Sequence, residues 1–222
     1  MTTPSLVILD MAGTTVEDRG QVPAAFNWAL GAHGISVTDA EINQVRGASK
    51  RHAILQFVPA GSRQAEVAAA IYVSFRTRLV DRYAADGVRA IDGAAGAMRT
   101  LRARGMLIAL TTGFDRDIAH VVLERLGWLD GVADTIVCGD DVRIGRPAPD
   151  LILRAMQNLG VTSVGRVACV GDTTLDLTAG FAAGVAWNIG VLSGAHAREA
   201  MAAAPHTHLI DSVAALPALW GI

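Results

Sequence analysis

The stretch Leu6-Val-Ile-Leu-Asp10 is an unbroken apolar run that ends in an acid, and Met11-Ala-Gly-Thr14-Thr15 follows it with small, turn-forming residues. A run this short and apolar, bounded by turn chemistry, predicts a buried strand that delivers Asp10 to its own C-terminal edge. Strand ends of open α/β sheets are where ligands bind, because loops and helix N-termini there present unpaired backbone N–H groups. A carboxylate in that place is a candidate nucleophile or metal ligand. Asp followed by Gly and Thr is also ordinary turn chemistry, so Asp10 alone does not decide between a site and a cap.

From residue 88 onward the chain alternates helical and strand patterns, the signature of a parallel sheet with crossover helices. Predicted strands cover 106–110, 135–138, 166–170, 185–189 and 208–210. The helices between them cover 94–104, closed by Gly105, then a stretch capped by Asp115 with a core stripe of Ile118, Val121, Val122 and Leu126, and one closed by Gly160. The first strand and this sheet are separated by a helical region over 22–86. Val22, Phe26, Ala29 and Leu30 share a helical face that Gly34 closes, and Thr38-Asp-Ala-Glu41 has the spacing of a capping box. Ser49 is placed to cap a third helix with Lys50 in its first turn, and a long helix over 62–85 ends at Gly87. Arg76, Arg78 and Arg82 on that helix read as a solvated face, and His206 and His208 as surface histidines. The expected organisation is α/β: a core of 1–17 and 88–222, with 18–87 inserted as a helical cap over the strand ends.

A chain of 222 residues with 51% hydrophobic content can bury a core of that size. Its net charge of −2 and lack of any Lys/Arg block give no nucleic-acid or anionic-membrane signature. No apolar stretch reaches membrane-spanning length, and the chain enters its first strand without a signal-like segment, so a cytoplasmic location is expected. The two cysteines, Cys138 and Cys169, are too few for a disulfide framework and read as reduced core thiols. Of the 19 basic residues only Lys50 is lysine. Coding bias toward Arg explains that excess, and a position that keeps Lys under such bias either needs a neutral amine, which Arg cannot offer, or is a chance survivor.

Four strand ends carry polar groups: Asp10, Thr112, Arg146 beyond the third, and Asp172 with Asp176. A parallel sheet brings them to one edge. Asp10 and Asp172 can share Mg²⁺, which prefers oxygen ligands. Thr112, the Gly113 N–H and the Arg146 guanidinium suit phosphate oxygens. Asp10 can then attack phosphorus as a carboxylate nucleophile, with Asp176 orienting the metal's waters from one helical turn further on.

With these motifs in this order, the sequence resembles the haloacid dehalogenase superfamily over nearly its whole length. That resemblance implies a Rossmann-like core, Mg²⁺ held by Asp10, the Ala12 carbonyl and Asp172, a phospho-Asp10 intermediate, and Gly13 and Thr14 beside the substrate. Most phosphatases of the superfamily carry an acid two residues after the nucleophile, where this chain has Ala12. General acid help of that kind is typically worth about 10²–10⁴-fold. The Asp-x-Ala-Gly-Thr form, with Arg146 in place of the usual lysine, resembles phosphonoacetaldehyde hydrolases. There a cap lysine forms a Schiff base with the substrate aldehyde, so that C–P cleavage expels an enamine, and Gly47-Ala-Ser-Lys50 resembles the segment carrying it. A first helical turn and the neighbours Arg46 and Arg51 should lower the Lys50 pKa. The family's histidine three residues after that lysine is Ala53 here, with His52 one place earlier and about 100° around the helix. The alternatives are a phosphomonoesterase in which Lys50 only binds charge, and a non-catalytic phosphate binder. The expected partner is a small phosphonate or phosphate substrate, with a homodimer through the cap implied by the resemblance.

Overall fold

The computed structural model describes residues 3–222. Six parallel strands form one sheet: β1 (Leu6–Asp10), β2 (Leu107–Thr111), β3 (Thr135–Val137), β4 (Val167–Gly171), β5 (Trp187–Val191) and β6 (His208–Ile210), in the order β3-β2-β1-β4-β5-β6. The order reverses between β1 and β4, which is where such sheets open a crevice at their C-terminal edge. Every residue of β1 is buried because helices cover both faces of the sheet. The two-residue period of a strand separates the cores: Val7, Leu9, Ile108, Leu110, Ala168 and Val170 face one, while Leu6, Ile8, Ala109, Val167 and Cys169 face the other.

Helices α1 (Gln21–Ala32), α2 (Asp39–Gln44), α3 (Lys50–Phe57) and α4 (Gln64–Asp86) come between β1 and β2. The remaining helices are α5 (Ala94–Ala103), α6 (Arg116–Leu126), α7 (Asp150–Asn158), α8 (Thr174–Ala183), α9 (Arg198–Ala203) and α10 (Leu216–Leu219). The chain enters and leaves the α1–α4 block side by side: Glu17 N–H donates to the Arg89 carbonyl at 2.9 Å and Ile91 N–H to the Thr15 carbonyl at 3.0 Å. We propose that this paired connection bounds the cap at 18–87. Within the cap, Phe75 of α4 is fully buried, and the Phe26 ring of α1 meets it edge-on at 5.7 Å and Phe57 at 6.0 Å.

Helix ends follow local chemistry closely. The Thr38–Glu41 capping box is formed in both directions, and Gly34, Gly87, Gly105, Gly127 and Gly160 all have positive φ. Two caps differ from expectation. Ser49 and Asp115 occupy N-cap positions, yet neither side chain accepts a helix N–H, and the Asp115 carboxylate instead pairs with Arg51 of the cap at 2.7 Å. The arginine face of α4 meets solvent as expected, with Arg76 exposed and Arg78 and Arg82 half-buried, and it also makes contacts: Arg76 pairs with Asp117 of α6 at 2.8 Å, Arg78 lies over the Trp28 ring and Arg82 pairs with Asp86. Val121 and Leu126 of the α6 stripe are half-buried, and Ala119 and Leu123 take their place in the core. His206 and His208 are exposed as expected, and both cysteines are free, buried and pushed toward the neutral thiol by that burial. Among the described residues no helix is long and apolar enough to cross a membrane.

Removing the Phe75 ring leaves a void that its two aromatic neighbours, Phe26 and Tyr72, cannot close. Phe75→Ala should cost about 3–5 kcal/mol in chemical denaturation, and a loss below about 1 kcal/mol would contradict this packing.

Candidate active site

β1 ends on Asp10 and β2 on Thr111, and the two are register partners at the C-terminal edge of the sheet. Arg146 reaches both from the loop after β3. Its Nη1 lies 2.6 Å from Asp10 Oδ1, its Nε 2.8 Å from Asp176 Oδ1, and its Nη2 donates to Thr111 Oγ1 at 2.8 Å. All of these side chains are buried, so the fork of one planar guanidinium fixes three acceptors at once. Asp176 is spoken for on its other oxygen too: Oδ2 accepts the Thr173 N–H at 3.0 Å, closing the capping box that starts α8. Asp176 therefore reaches the site through Arg146.

Asp172 follows β4 and sits across the crevice from Asp10. Its Oδ2 accepts the Ala195 N–H at 2.7 Å, and its Oδ1 accepts the Thr14 hydroxyl at 3.3 Å. Gly13, with φ of +96°, passes so close that a Cβ would stand 2.1 Å from Asp172 Oδ2, so the turn after β1 needs glycine both for its backbone and for this approach. Burial raises the Asp10 pKa to about 7 against the pull of Arg146, with Asp176 adding to the rise. Burial and then the charges of Asp10 and Asp176 raise Asp172 as well. Two buried carboxylates that both resist ionisation form an all-oxygen donor set, the chemistry that suits a hard divalent cation.

The cap closes the crevice from above with residues 46–50. Lys50 N–H donates to the Gly113 carbonyl at 3.3 Å, and the Gly47 carbonyl accepts from Arg146 Nη1 at 3.3 Å. The Lys50 side chain turns inward, where its Nζ donates to the Ala48 carbonyl at 3.1 Å and stands 5.7 Å from the Phe114 ring centroid. Its pKa falls to about 8. The main cause is burial, opposed by Asp10 and Asp18 and assisted by Arg146 and Arg46. Arg51 is not the neighbour expected from sequence: it points away, stacked on the Tyr72 ring at 3.9 Å and paired with Asp115. Asp10, Ala12, Lys50, Thr112, Gly113, Arg146 and Asp172 together line a pocket of about 30 Å³, room for little more than water with the cap in this position.

Three contributors were not legible beforehand. Thr111 looked like the residue before the site, but strand alternation aims it at Arg146, whereas the Thr112 hydroxyl accepts the Phe114 N–H at 3.1 Å. Asp18 and Arg46 form a partly buried ion pair on the pocket wall, joined from 28 residues apart. His196 bridges the core to the cap, and no spacing in the sequence announces it. His52 is exposed and Ala53 fully buried, so His52 stays outside the pocket.

Comparison with known proteins agrees with this architecture. Residues 4–184 match the family model of haloacid dehalogenase-like hydrolases. The phosphonoacetaldehyde hydrolase of Bacillus cereus is 31% identical over 204 residues, covering 85% of this chain and 75% of its own. A hydrolase from Pseudomonas syringae superposes with a TM-score of 0.86 at 24% identity, covering 98% of this chain and 99% of that one. A phosphonoacetaldehyde hydrolase-like protein from Oleispira antarctica gives 0.85 at 24% identity, covering 98% and 91%. A parallel sheet in this strand order, with Asp10 at its switch point and a family model spanning most of the sequence, places the chain among the haloacid dehalogenase-like hydrolases.

Proposed function

We propose that the protein is a Mg²⁺-dependent phosphonatase-like hydrolase that cleaves the C–P bond of phosphonoacetaldehyde or a closely related oxo-phosphonate. The observation that carries this reading is a single buried lysine, with its pKa brought down to about 8, facing the same small pocket as Asp10. A buried amine with a pKa near 8 has a much larger neutral fraction at neutral to mildly alkaline pH than an ordinary lysine and can act as a carbonyl nucleophile, whereas a charge-binding role asks only for the cation.

In this reading Lys50 Nζ adds to the substrate aldehyde, and loss of water gives a protonated imine. Asp10 attacks phosphorus in line, the C–P bond breaks, and its electron pair moves into the imine to give an enamine. Because the electrons end on nitrogen, the leaving group needs no proton at the moment of cleavage, which fits Ala12 in the usual position of the acid. The enamine then takes a proton on carbon and is hydrolysed to acetaldehyde and free Lys50, and water releases phosphate from phospho-Asp10. Thr112, the Gly113 N–H, Arg146 and the Gly13–Thr14 turn would hold the phosphoryl oxygens. Asp10, the Ala12 carbonyl and Asp172 would hold Mg²⁺, which when bound neutralises the buried carboxylates and the phosphoryl charge. Asp176 and Thr111 keep the Arg146 fork in place.

A second reading, a phosphomonoesterase with Lys50 as a charge anchor, is favoured by one observation: the residue three places after Lys50 is the apolar, fully buried Ala53. Lys50→Arg distinguishes the two. It keeps the charge and removes the imine, so phosphate release from phosphonoacetaldehyde with Mg²⁺ should fall below detection, while an ester hydrolase would keep part of its rate. Asp10→Asn should abolish turnover in either case, and residual activity near wild type would defeat both.

The pKa adds a separate expectation. Borohydride reduction in the presence of the aldehyde should attach the substrate carbon to Lys50, and the trapping rate should rise with pH and level off above about 8. Each unit below that value leaves about tenfold less neutral amine. A rate still climbing toward pH 10 would mean that Lys50 is an ordinary solvated lysine.

A further inference from the structure

The loop after β5, Ser193-Gly-Ala-His196, wraps around Asp172. Ala195 N–H donates to Asp172 Oδ2 at 2.7 Å, His196 N–H donates to the Asp172 carbonyl at 3.3 Å, and Ser193 Oγ donates to the Gly13 carbonyl at 2.9 Å. A Cβ on Gly194 would stand 2.1 Å from Asp172 Oδ2. A shift of this loop therefore moves the carboxylate with it.

The His196 side chain is almost fully buried and is held at both ends. Its Nδ1 lies 3.1 Å from the Thr174 nitrogen, at the start of α8, and its Nε2 lies 3.1 Å from the Asn43 carbonyl, in the last turn of α2. A backbone N–H only donates and a carbonyl only accepts, so both contacts are met by one species, the neutral ring with its proton on Nε2. Asn43 lies two residues before the segment 45–49 that leads into Lys50 and carries the Gly47 carbonyl onto Arg146. His196 thus joins the loop that cradles Asp172 to the part of the cap that closes the pocket.

We propose that His196 is a positioning residue that ties the placement of Asp172 to the closed cap, so that Mg²⁺ binding and cap closure strengthen each other. The inference rests on the reading that Asp172 holds Mg²⁺. Coupling of this kind is reciprocal: whatever factor the closed cap adds to metal affinity, the metal adds to cap closure.

Two substitutions separate the two ends of the ring. Asn at 196 places its carboxamide oxygen where Nδ1 stands, keeping the Thr174 contact while falling short of Asn43. Gln reaches the Nε2 position and keeps the contact with the cap. Mg²⁺ is titrated calorimetrically into each protein without substrate, and the cap is probed by limited trypsin digestion with and without Mg²⁺. His196→Asn should weaken Mg²⁺ by about tenfold, the size expected when a group supporting a metal ligand is lost, while His196→Gln stays within about twofold of wild type. Mg²⁺ should protect the cap in wild type and His196→Gln and fail to do so in His196→Asn. Wild-type affinity in His196→Asn, or equal loss in both variants, would show that His196 only holds its own loop and would overturn the inference. A wild-type protein that binds no Mg²⁺ would overturn the metal reading itself, and this inference with it.

Discussion

A single buried guanidinium determines how the rest of this site is arranged. Arg146 arrives on a loop, yet its side chain is only 5% exposed and spends its donors on Asp10, Asp176, Thr111 and the Gly47 carbonyl. Taking such a cation out of water is costly unless good geometry compensates for lost hydration. Here β1 supplies Asp10, the start of α8 supplies Asp176 and β2 supplies Thr111, so three elements of the sheet edge are fixed against one plane. A lysine ammonium at 146 could not reach four acceptors along separate N–H directions, which gives a physical reason for arginine at this position. Because the fourth acceptor belongs to the cap, the same side chain also connects the two parts of the molecule.

Charge balance explains why the pKa values move as they do. Asp10, Asp172 and Asp176 face Arg146 and Lys50, three carboxylates against two cations, and all are buried. Burial penalises every charge, lifting Asp10 toward neutral pH and lowering Lys50 from the other side. Among the described residues Asp172 forms no ion pair of its own, and it is stabilised by the Ala195 N–H, the Thr14 hydroxyl and the charge of Arg46. Asp10 and Asp172 are thus the two carboxyls that burial shifts most toward the neutral form, and in the proposed reading they would help hold the divalent cation. The arrangement brings the Lys50 pKa down to about 8 while Arg146 stays charged, so two basic residues lining one pocket are suited to different work.

Much of the fold could be read from residue order because it depends on local periodicity. The apolar run before Asp10, the Thr38–Glu41 box and the glycine stops all act within a few residues, and each is found in place. Lys50 stood out for a different reason: one lysine among 18 arginines is visible without any structure. What sequence did not reveal depends on contacts across long separations. Arg51 was assigned to Lys50 by adjacency, but one helical step turns it onto Asp115, 64 residues away. Asp115 in turn looked like a helix cap, and the ion pair with the cap domain took its carboxylate instead. The Asp18–Arg46 pair and the His196 bridge have no local pattern, since the first joins residues 28 apart within the cap and the second is made by closure of the cap on the sheet.

The absence of an acid at residue 12 and the burial of Lys50 are two aspects of the same physical problem. An ester oxygen leaving phosphorus carries its electron pair as an alkoxide and needs a proton close by, which Ala12 cannot give. A carbon leaving group is worse still unless its electrons can be delocalised as the bond breaks, and a protonated imine does this without a proton donor near phosphorus. Under that proposal the imine requires a neutral amine first, and burial beneath the cap beside Phe114 raises the neutral fraction of Lys50 by lowering its pKa to about 8. In the proposed reading the cation is conjugated with the leaving carbon instead of standing beside the leaving atom. In that reading the seating of the cap belongs to the chemistry, because the burial that lowers the Lys50 pKa accompanies residues 46–50 seated on the sheet edge.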